Sequence, residues 1–161
     1  MGAKFSLPYD VWFAHVKNVS DIGKKLRMFL RLEHIGIAVK DLHTANDLFA
    51  QLLGSAPYKE ETVDSEHVKT SFFHTGEAKV ELLEATAPES AIAKHIEKRG
   101  EGLHHIAFEV DDIYAEMERL RAQGFQLLQE TPKRGADGKL VCFLHPKSTN
   151  GVLLELCQSI H

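Results

Sequence analysis

The sequence predicts an α+β fold in which two tandem βαβββ modules form one cupped mixed sheet, with helices on its outer face. Two observations support this prediction. The order of one strand, one helix and three strands occurs twice along the chain, and two pairs of segments align between the repeats. Because a repeated supersecondary unit implies pseudo-symmetry, we expect the two halves to pack as equivalent modules.

The first module spans residues 31–86. Apolar periodicity and turn residues predict a strand at 31–40, a helix at 43–53 that Gly54 ends, and strands near 57–63, 67–75 and 78–85. Residues 1–30 precede it as an N-terminal extension, either an appended helix or a segment foreign to the natural protein. We assign residues 1–27 no catalytic role.

The second module, residues 103–158, repeats this order after a linking helix at 88–99. We expect a strand at 103–111, a helix at 112–123 followed by Gly124, and strands near 125–130, 139–145 and 151–158. With the first module, these elements make up a domain over residues 31–161.

Two alignments between the modules single out four residues. Residues 33–42 align with residues 104–113 without a gap, so that His34 corresponds to His105 at an offset of 71. Residues 79–82 align with residues 153–156, so that Glu81 corresponds to Glu155 at an offset of 74. Each module therefore opens with a strand that carries a histidine and closes with a strand that carries a glutamate.

Strand alternation predicts where the histidines point, because side chains two residues apart share one face. His34 lies on the face opposite the apolar residues 35, 37 and 39, beside Gly36 and Ala38. In the second module His105 lies beside Ala107. Small residues on the histidine face, opposite the face that the helices cover, predict a cavity there.

The same alternation turns both glutamates toward this cavity. Pseudo-two-fold symmetry would then gather His34, Glu81, His105 and Glu155 around one point. Two imidazoles and two carboxylates without a thiolate suit a divalent ion such as cobalt, manganese, zinc, nickel or iron. Burying four such groups without an ion is costly, so they should coordinate a metal or find other partners.

Other polar residues near these motifs receive simpler interpretations. By alternation, His104 should face away from the neighbouring His105. Lys133, Arg134 and Lys147 lie in loop segments and could meet an anionic substrate, although exposed basic residues are common enough that a solvated role is the simpler interpretation.

Composition excludes several classes of protein. With 19 basic and 23 acidic residues and a formal charge of −4, the chain lacks the basic stripe that nucleic acids require. No apolar run approaches the roughly 20 residues of a membrane helix, and no signal peptide begins the sequence. We therefore expect a cytoplasmic protein, with Cys142 and Cys157 as buried reduced thiols.

Five motifs taken together resemble the methylmalonyl-CoA epimerase family of the vicinal oxygen chelate (glyoxalase/bleomycin resistance/dioxygenase) superfamily. The resemblance runs from about Met28 to Ser159. The motifs are His34–Val39, Lys79–Glu84, Gly102–Ile106, Phe143–Lys147 and Gly151–Leu156. The resemblance implies a glyoxalase-like fold and a metal held by His34, Glu81, His105 and Glu155. Some members of the family carry glutamine at the position of Glu81.

The resemblance also implies an activity. The family interconverts (2R)- and (2S)-methylmalonyl-CoA in propionyl-CoA metabolism, through a thioester enolate that a divalent ion stabilises. We expect one ion, cobalt first, with manganese, zinc, nickel or magnesium as alternatives, an acyl-CoA substrate and a homodimer. Glu81 and Glu155 are the candidate acid/base pair. One family member has a glutamate proposed as the base where this chain has Thr70.

Three alternatives stay open at this point. A glyoxalase I type lactoylglutathione lyase would use a similar site on another substrate. A non-haem iron dioxygenase needs only two histidines and one carboxylate, so the additional Glu81 weakens that alternative. A non-catalytic drug-binding protein of the same fold would not need all four residues.

Overall fold

The structure, a computed structural model, describes residues 29–160. Residues 1–28 of the predicted N-terminal extension therefore lie outside the described residues. Its last two positions belong instead to the first strand, which begins at Phe29 rather than at residue 31.

Each module has the predicted order of elements, which confirms the α+β class. The first consists of β1 (Phe29–Val39), α1 (Leu42–Leu53), β2 (Lys59–Val63), β3 (Val68–Thr75) and β4 (Ala78–Ala85), with a 3-10 turn at Asp64–Glu66. The linking helix is α2 (Ala91–Arg99). The second consists of β5 (Gly102–Val110), α3 (Ile113–Ala122), β6 (Lys133–Arg134), β7 (Lys139–Leu144) and β8 (Leu154–Ser159), with a 3-10 turn at Pro146–Ser148.

The helices begin and end where the sequence supplies caps. Asp41 and Asp112 hold equivalent positions at the helix starts, where the carboxylate of Asp41 accepts one backbone N–H of the first turn and that of Asp112 accepts two. Ser90 caps α2 in the same way. Gly54 ends α1 in the left-handed region, with φ of 71°, where a residue with a side chain would be strained.

The eight strands form one sheet in the order β2-β3-β4-β1-β5-β8-β7-β6. β1 and β5 pair antiparallel at its centre, and they pair parallel with β4 and β8, respectively. The modules thus meet within one chain, edge to edge, and their symmetry axis lies between the two strands that carry the histidines.

The prediction of a strand at 125–130 is wrong. Leu127 makes only an isolated bridge to Leu144, and the short β6 forms further along the chain. The N–H of Phe143 donates to the side-chain oxygen of Gln129, at 2.8 Å, and not to a main-chain carbonyl. Because the side chain replaces the main-chain acceptor, the ladder beside β7 does not continue.

The helices cover the predicted apolar faces. Under α1, Ile37, Val39, Phe73 and Leu82 form one cluster, and Val110, Cys142 and Leu156 form another under α3. Both cysteines are buried and free, as expected. Ala38 differs from expectation: it does not line the cavity but packs with Ile92 of α2, because the linking helix lies over that end of the cup.

Within residues 29–160, none of the helices combines the length and the apolar character that crossing a membrane requires.

Candidate metal centre

The structure brings the four predicted residues together on the four central strands. Each is almost fully buried, with 6% of His34, 5% of Glu81, 3% of His105 and 5% of Glu155 exposed. The sheet register explains why they meet. Gly36 lies opposite both Glu81 and His105, and its counterpart Ala107 lies opposite both His34 and Glu155.

The ligand atoms lie close to one another. Nε2 of His34 is 2.9 Å from Nε2 of His105, and one ligand atom from each of His34, His105 and Glu155 lies within 4.8 Å of the other two. Glu81 is outside this set of three, although its Oε2 is 3.2 Å from Nε2 of His34 and 3.6 Å from Nε2 of His105. Oε2 of Glu155 is 3.2 Å from His105 and 3.9 Å from His34.

Gly36 permits this approach. A Cβ at this position would lie 2.2 Å from Cε1 of His105, closer than non-bonded atoms can come. The expectation that small residues keep the histidine face open is therefore met at Gly36 for a specific reason: the ring of His105 lies directly over its Cα.

The pairing of β1 with β5 contains three register shifts, and two of them are bulges beside the histidines that strand alternation does not predict. Leu32 and His34 lie opposite the adjacent residues Phe108 and Ala107, which makes Glu33 an extra residue on β1. Gly36 and Ile37 lie opposite His105 and Leu103, which makes His104 an extra residue on β5. Each bulge lies immediately before a candidate ligand histidine, and a bulge redirects the side chains around it.

Glu33 is a site residue that the sequence analysis missed. It is 1% exposed, and its Oε2 lies 2.5 Å from Nδ1 of His34. The repeat alignment could not reveal it, because its counterpart in the second module is a histidine and not a glutamate.

His104 does not face away from His105 as expected. Its Nδ1 lies 2.9 Å from Nδ1 of His105, and its ring also makes a T-shaped contact with the ring of His95 on α2. The bulge is the reason, because it interrupts the alternation on which the expectation rested.

The imidazoles have opposite electrostatic surroundings. Burial disfavours protonation of His34, but hydrogen bonds to Glu33 and Glu81 outweigh it and raise its pKa to about 10. Burial lowers the pKa of His105 to about 3 and that of His104 to about 4. Near neutral pH the protein without metal therefore holds a proton on His34, while His105 is neutral.

The carboxylates differ as well. Burial raises the pKa of Glu155 to about 8, and the negative charge of Glu81 adds to this effect. Burial also opposes ionisation of Glu81, but the hydrogen bond from His34 lowers its pKa below the usual range. Thr70 supports Glu81, because its hydroxyl lies 2.9 Å from Oε1 of Glu81 and can donate to it.

Two lysines from different modules hold Glu33. Nζ of Lys79 lies 2.5 Å from its Oε1, and Nζ of Lys139 lies 3.1 Å from the same oxygen. Burial disfavours the charged carboxylate, yet His34 and Lys79 hold the pKa of Glu33 well below its usual range. Glu33 is thus a buried anion with cationic partners on both sides of the module boundary.

A cavity of about 230 Å³ opens onto these residues. Its walls are mainly apolar and include Val68, Phe72, Leu83, Ile92, Val141 and Phe143. Lys133 and Arg134 also line it, but Lys133 already pairs with Glu66 at 2.6 Å. An apolar pocket with a few convergent charged groups is typical of a site for a small molecule.

The turn between β6 and β7 joins the two modules across this cavity. Asp137 accepts hydrogen bonds from Lys79 at 2.8 Å and from Tyr58 at 3.0 Å. Its own N–H donates to Glu61 at 3.0 Å. The turn of the second module is therefore held by side chains of the first.

Comparison with known proteins identifies the class. Residues 33–143 match the family model of the Glyoxalase/Bleomycin resistance protein/Dioxygenase superfamily. The ethylmalonyl-CoA/methylmalonyl-CoA epimerase of Cereibacter sphaeroides is 41% identical over 133 residues, which are 81% of this chain and 99% of that protein. The mitochondrial methylmalonyl-CoA epimerase of Dictyostelium discoideum is 41% identical over 128 residues, 78% of this chain and 76% of that protein.

A solved structure agrees with these relatives. Streptomyces coelicolor methylmalonyl-CoA epimerase in complex with 2-nitronate-propionyl-CoA superposes with a TM-score of 0.80 at 34% identity, covering 83% of this chain and 99% of that one. The chain belongs to the methylmalonyl-CoA epimerase family of this superfamily, which confirms the resemblance found in its motifs.

Proposed function

We propose that the protein is a divalent-metal epimerase that interconverts the (2R) and (2S) forms of methylmalonyl-CoA. The observation that carries the proposal is the pseudo-symmetric placement of two buried carboxylates: Oε2 of Glu81 lies 3.2 Å from Nε2 of His34, and Oε2 of Glu155 lies 3.2 Å from Nε2 of His105. Inversion at a carbon requires removal of a proton from one face and its return to the other, and a pair of carboxylates related by pseudo-symmetry suits that requirement.

We assign His34, Glu81, His105 and Glu155 as the metal ligands. Two nitrogens about 2.1 Å from one ion and at right angles to each other lie roughly 3 Å apart, which the 2.9 Å between the Nε2 atoms matches. Their burial also supports the assignment, because without an ion these groups have to hold protons on His34 and Glu155, and a dication can replace those protons. Cobalt stays our first expectation for the ion, with manganese, zinc, nickel or magnesium as alternatives.

A bound dication would act as a Lewis acid that stabilises negative charge developing on the thioester oxygen. The chain's own residues have to move the proton of the substrate carbon. Glu81 and Glu155 are our candidates for this task, because their environments drive the pKa values of the two carboxyls apart. One family member has a glutamate proposed as the base on the third strand, where this chain has Thr70. Because threonine is not a base, we assign no base to β3.

The cavity explains how the acyl group would be held. Its apolar walls exclude water from the substrate carbon, which strengthens the electrostatic interactions inside. The remainder of an acyl-CoA would extend toward the rim, where Arg134 offers a cationic group to the phosphates.

The test is proton exchange at C2 of methylmalonyl-CoA in D2O, followed by NMR, with chelator-treated protein before and after addition of cobalt. Metal-dependent deuterium uptake with loss of configuration supports the proposal. Absence of exchange with every divalent ion tried would refute it, and glutathione hemithioacetals would be the next substrates. Ethylmalonyl-CoA in the same assay measures how large a substituent at C2 the cavity accepts.

A matched pair of variants tests the assignment of Glu155. Glu155→Gln should retain the fold but lose epimerisation, because one of the two acid/base groups is missing. Glu116→Gln should exchange like the parent, because Glu116 is equally buried (3% exposed) but pairs with Arg119 on α3, at 2.9 Å. Unchanged epimerisation by metal-loaded Glu155→Gln would exclude Glu155 as an acid or base.

We also propose a homodimer. Leu48 and Leu52 are 61% and 71% exposed and lie one turn apart on α1, where a second copy could cover them. Light scattering of the parent and of Leu52→Glu tests this proposal, since a dimer through this face should dissociate in the variant. The cytoplasmic location stays a prediction.

A further inference from the structure

The two β-bulges at the centre of the sheet are related by the same pseudo-symmetry as the histidines. Glu33 precedes His34 and His104 precedes His105, so the two extra residues occupy equivalent positions in the modules. Each extra residue contacts the Nδ1 atom of the histidine that follows it. The repeat has therefore kept the position of the contact but not the residue that makes it.

We propose that Glu33 and His104 are positioning residues that hold His34 and His105 with Nδ1 protonated and Nε2 free for the metal. The inference rests on the proposed metal site and deepens it. A carboxylate only accepts hydrogen bonds, so the 2.5 Å contact makes Nδ1 of His34 the donor. The same role for Nδ1 of His105 requires His104 to accept at Nδ1 and to carry its own proton at Nε2.

The geometry of the imidazoles favours this arrangement. With their Nδ1 atoms engaged on the bulges, the two rings present their Nε2 atoms to each other at 2.9 Å, beside Glu81 and Glu155. A ring free to rotate would not maintain that direction. A hydrogen bond to the second nitrogen fixes both the tautomer and the ring orientation of a metal-binding histidine.

The two positioning residues should not contribute equally. Glu33 is an anion that Lys79 and Lys139 hold in place from opposite modules. His104 is a neutral ring, only partly buried, whose remaining contact is with His95. A charge-assisted hydrogen bond is roughly twice as strong as a neutral one, so His34 should depend more on Glu33 than His105 depends on His104.

Zinc affinity, measured by competition with a chromogenic chelator on the full chain, tests the proposal. We expect Glu33→Ala to weaken zinc binding by about 100-fold and His104→Phe by about tenfold. Glu33→Gln should lose less than Glu33→Ala, because its amide oxygen can still accept from Nδ1. Glu116→Gln is the matched control for loss of a buried, ion-paired carboxylate away from the site and should bind zinc as the parent does.

A spectroscopic measurement separates positioning from a general loss of stability. In the zinc-loaded parent labelled with 15N-histidine, both ligand rings should show protonated Nδ1 and zinc-bound Nε2. Glu33→Ala should change the Nδ1 signal of His34 alone, and His104→Phe that of His105 alone. Glu33→Gln, which keeps an acceptor, should restore the His34 signal even if Glu33→Ala folds poorly.

The failures of the two proposals are distinguishable. A parent protein that binds no zinc overturns the metal site and, with it, the positioning roles. A parent that binds zinc, together with Glu33→Ala and His104→Phe variants of unchanged affinity and unchanged Nδ1 signals, overturns the positioning roles alone.

Discussion

The Cα of Gly36 lies directly beneath the imidazole of His105, and a methyl group there would come within 2.2 Å of Cε1. The contact is between the opening strands of the two modules, so it sets how closely the modules can approach around the metal site. Glycine is needed at this position for its lack of a side chain and not for an unusual backbone angle, because φ of Gly36 is not positive.

Gly36→Ala should therefore displace the ring of His105 and weaken zinc binding by at least about tenfold, in the range seen when a ligand loses its support. Gly76→Ala is the control. With φ of 73° and no neighbouring atom within 4 Å, it should cost about 1 kcal/mol of stability without changing zinc affinity. Equal zinc affinity of Gly36→Ala and the parent would show that the ring does not need this space.

The two glutamates should respond differently to substitution by glutamine. Glu81→Gln keeps an oxygen that can coordinate, and some family members carry glutamine there, so zinc binding should weaken by only about tenfold. Glu155→Gln removes the carboxylate whose pKa burial raises, and epimerisation should fall by about 100-fold or more. Competition with a chelator measures zinc affinity, and exchange and epimerisation rates at saturating metal measure activity; an opposite ranking of the two variants would reverse the assigned roles.

Stability of the metal-free protein should fall as the pH rises above 6.5. The folded protein binds the proton of His34 with a pKa of about 10, against an ordinary value of 6.5, and that of Glu155 with a pKa of about 8, against an ordinary value of 4.5. Both groups stabilise the fold when protonated, and this stabilisation is lost as the pH approaches the folded pKa values. A loss on the order of 2 kcal/mol by pH 9 would lower Tm by roughly 4–8 °C.

Zinc should reverse this trend, because the metal binds the deprotonated ligands and releases their protons. Calorimetric scans of the protein with chelator and with zinc, from pH 6.5 to 9, measure the two slopes. Burial lowers the pKa of His105, so the titration of this residue changes the stability of the protein only below pH 6.5. A metal-free Tm that stays constant or rises over it would contradict the protonation states described here.

The turn that carries Asp137 should open when its carboxylate is removed. Asp137 has φ of 52°, which asparagine tolerates, so Asp137→Asn changes the charge and leaves the backbone conformation accessible. The amide oxygen can still accept from Tyr58, but loss of the charge that pairs with Lys79 should cost about 1 kcal/mol and increase amide exchange between β6 and β7. Exchange rates equal to those of the parent would mean that other contacts hold the turn.

The hydroxyl of Thr70 should matter more than its methyl group. Thr70→Val removes a buried hydroxyl that lies 2.9 Å from Oε1 of Glu81 and 2.8 Å from the carbonyl oxygen of Leu82, and loss of this donor should cost about 1–3 kcal/mol, measured by denaturant unfolding. Thr70→Ser keeps the hydroxyl and should lose less stability than Thr70→Val. If the serine variant is the less stable of the two, packing of the methyl group is the larger contribution.

Much of the fold follows from local patterns. Caps at Asp41, Ser90 and Asp112 fix the helix starts, and alternation fixes which strand faces meet the helices. The predicted strand near 125–130 fails for a non-local reason, because its ladder depends on whether Phe143 finds a main-chain or a side-chain acceptor. A short edge strand depends on such partners more than a central strand does.

Repetition and strand alternation were enough to predict the repeated module and the four residues of the candidate metal site, because both patterns can be read from residues near one another in the chain. The contacts of Glu33 and His104 with those histidines, the packing of α2 over Ala38 and the joining of the modules by Asp137 became visible only in the folded chain. These features depend on the register between β1 and β5 and on packing between segments far apart in the sequence. A single extra residue in that register redirects a side chain, and no local pattern reveals it.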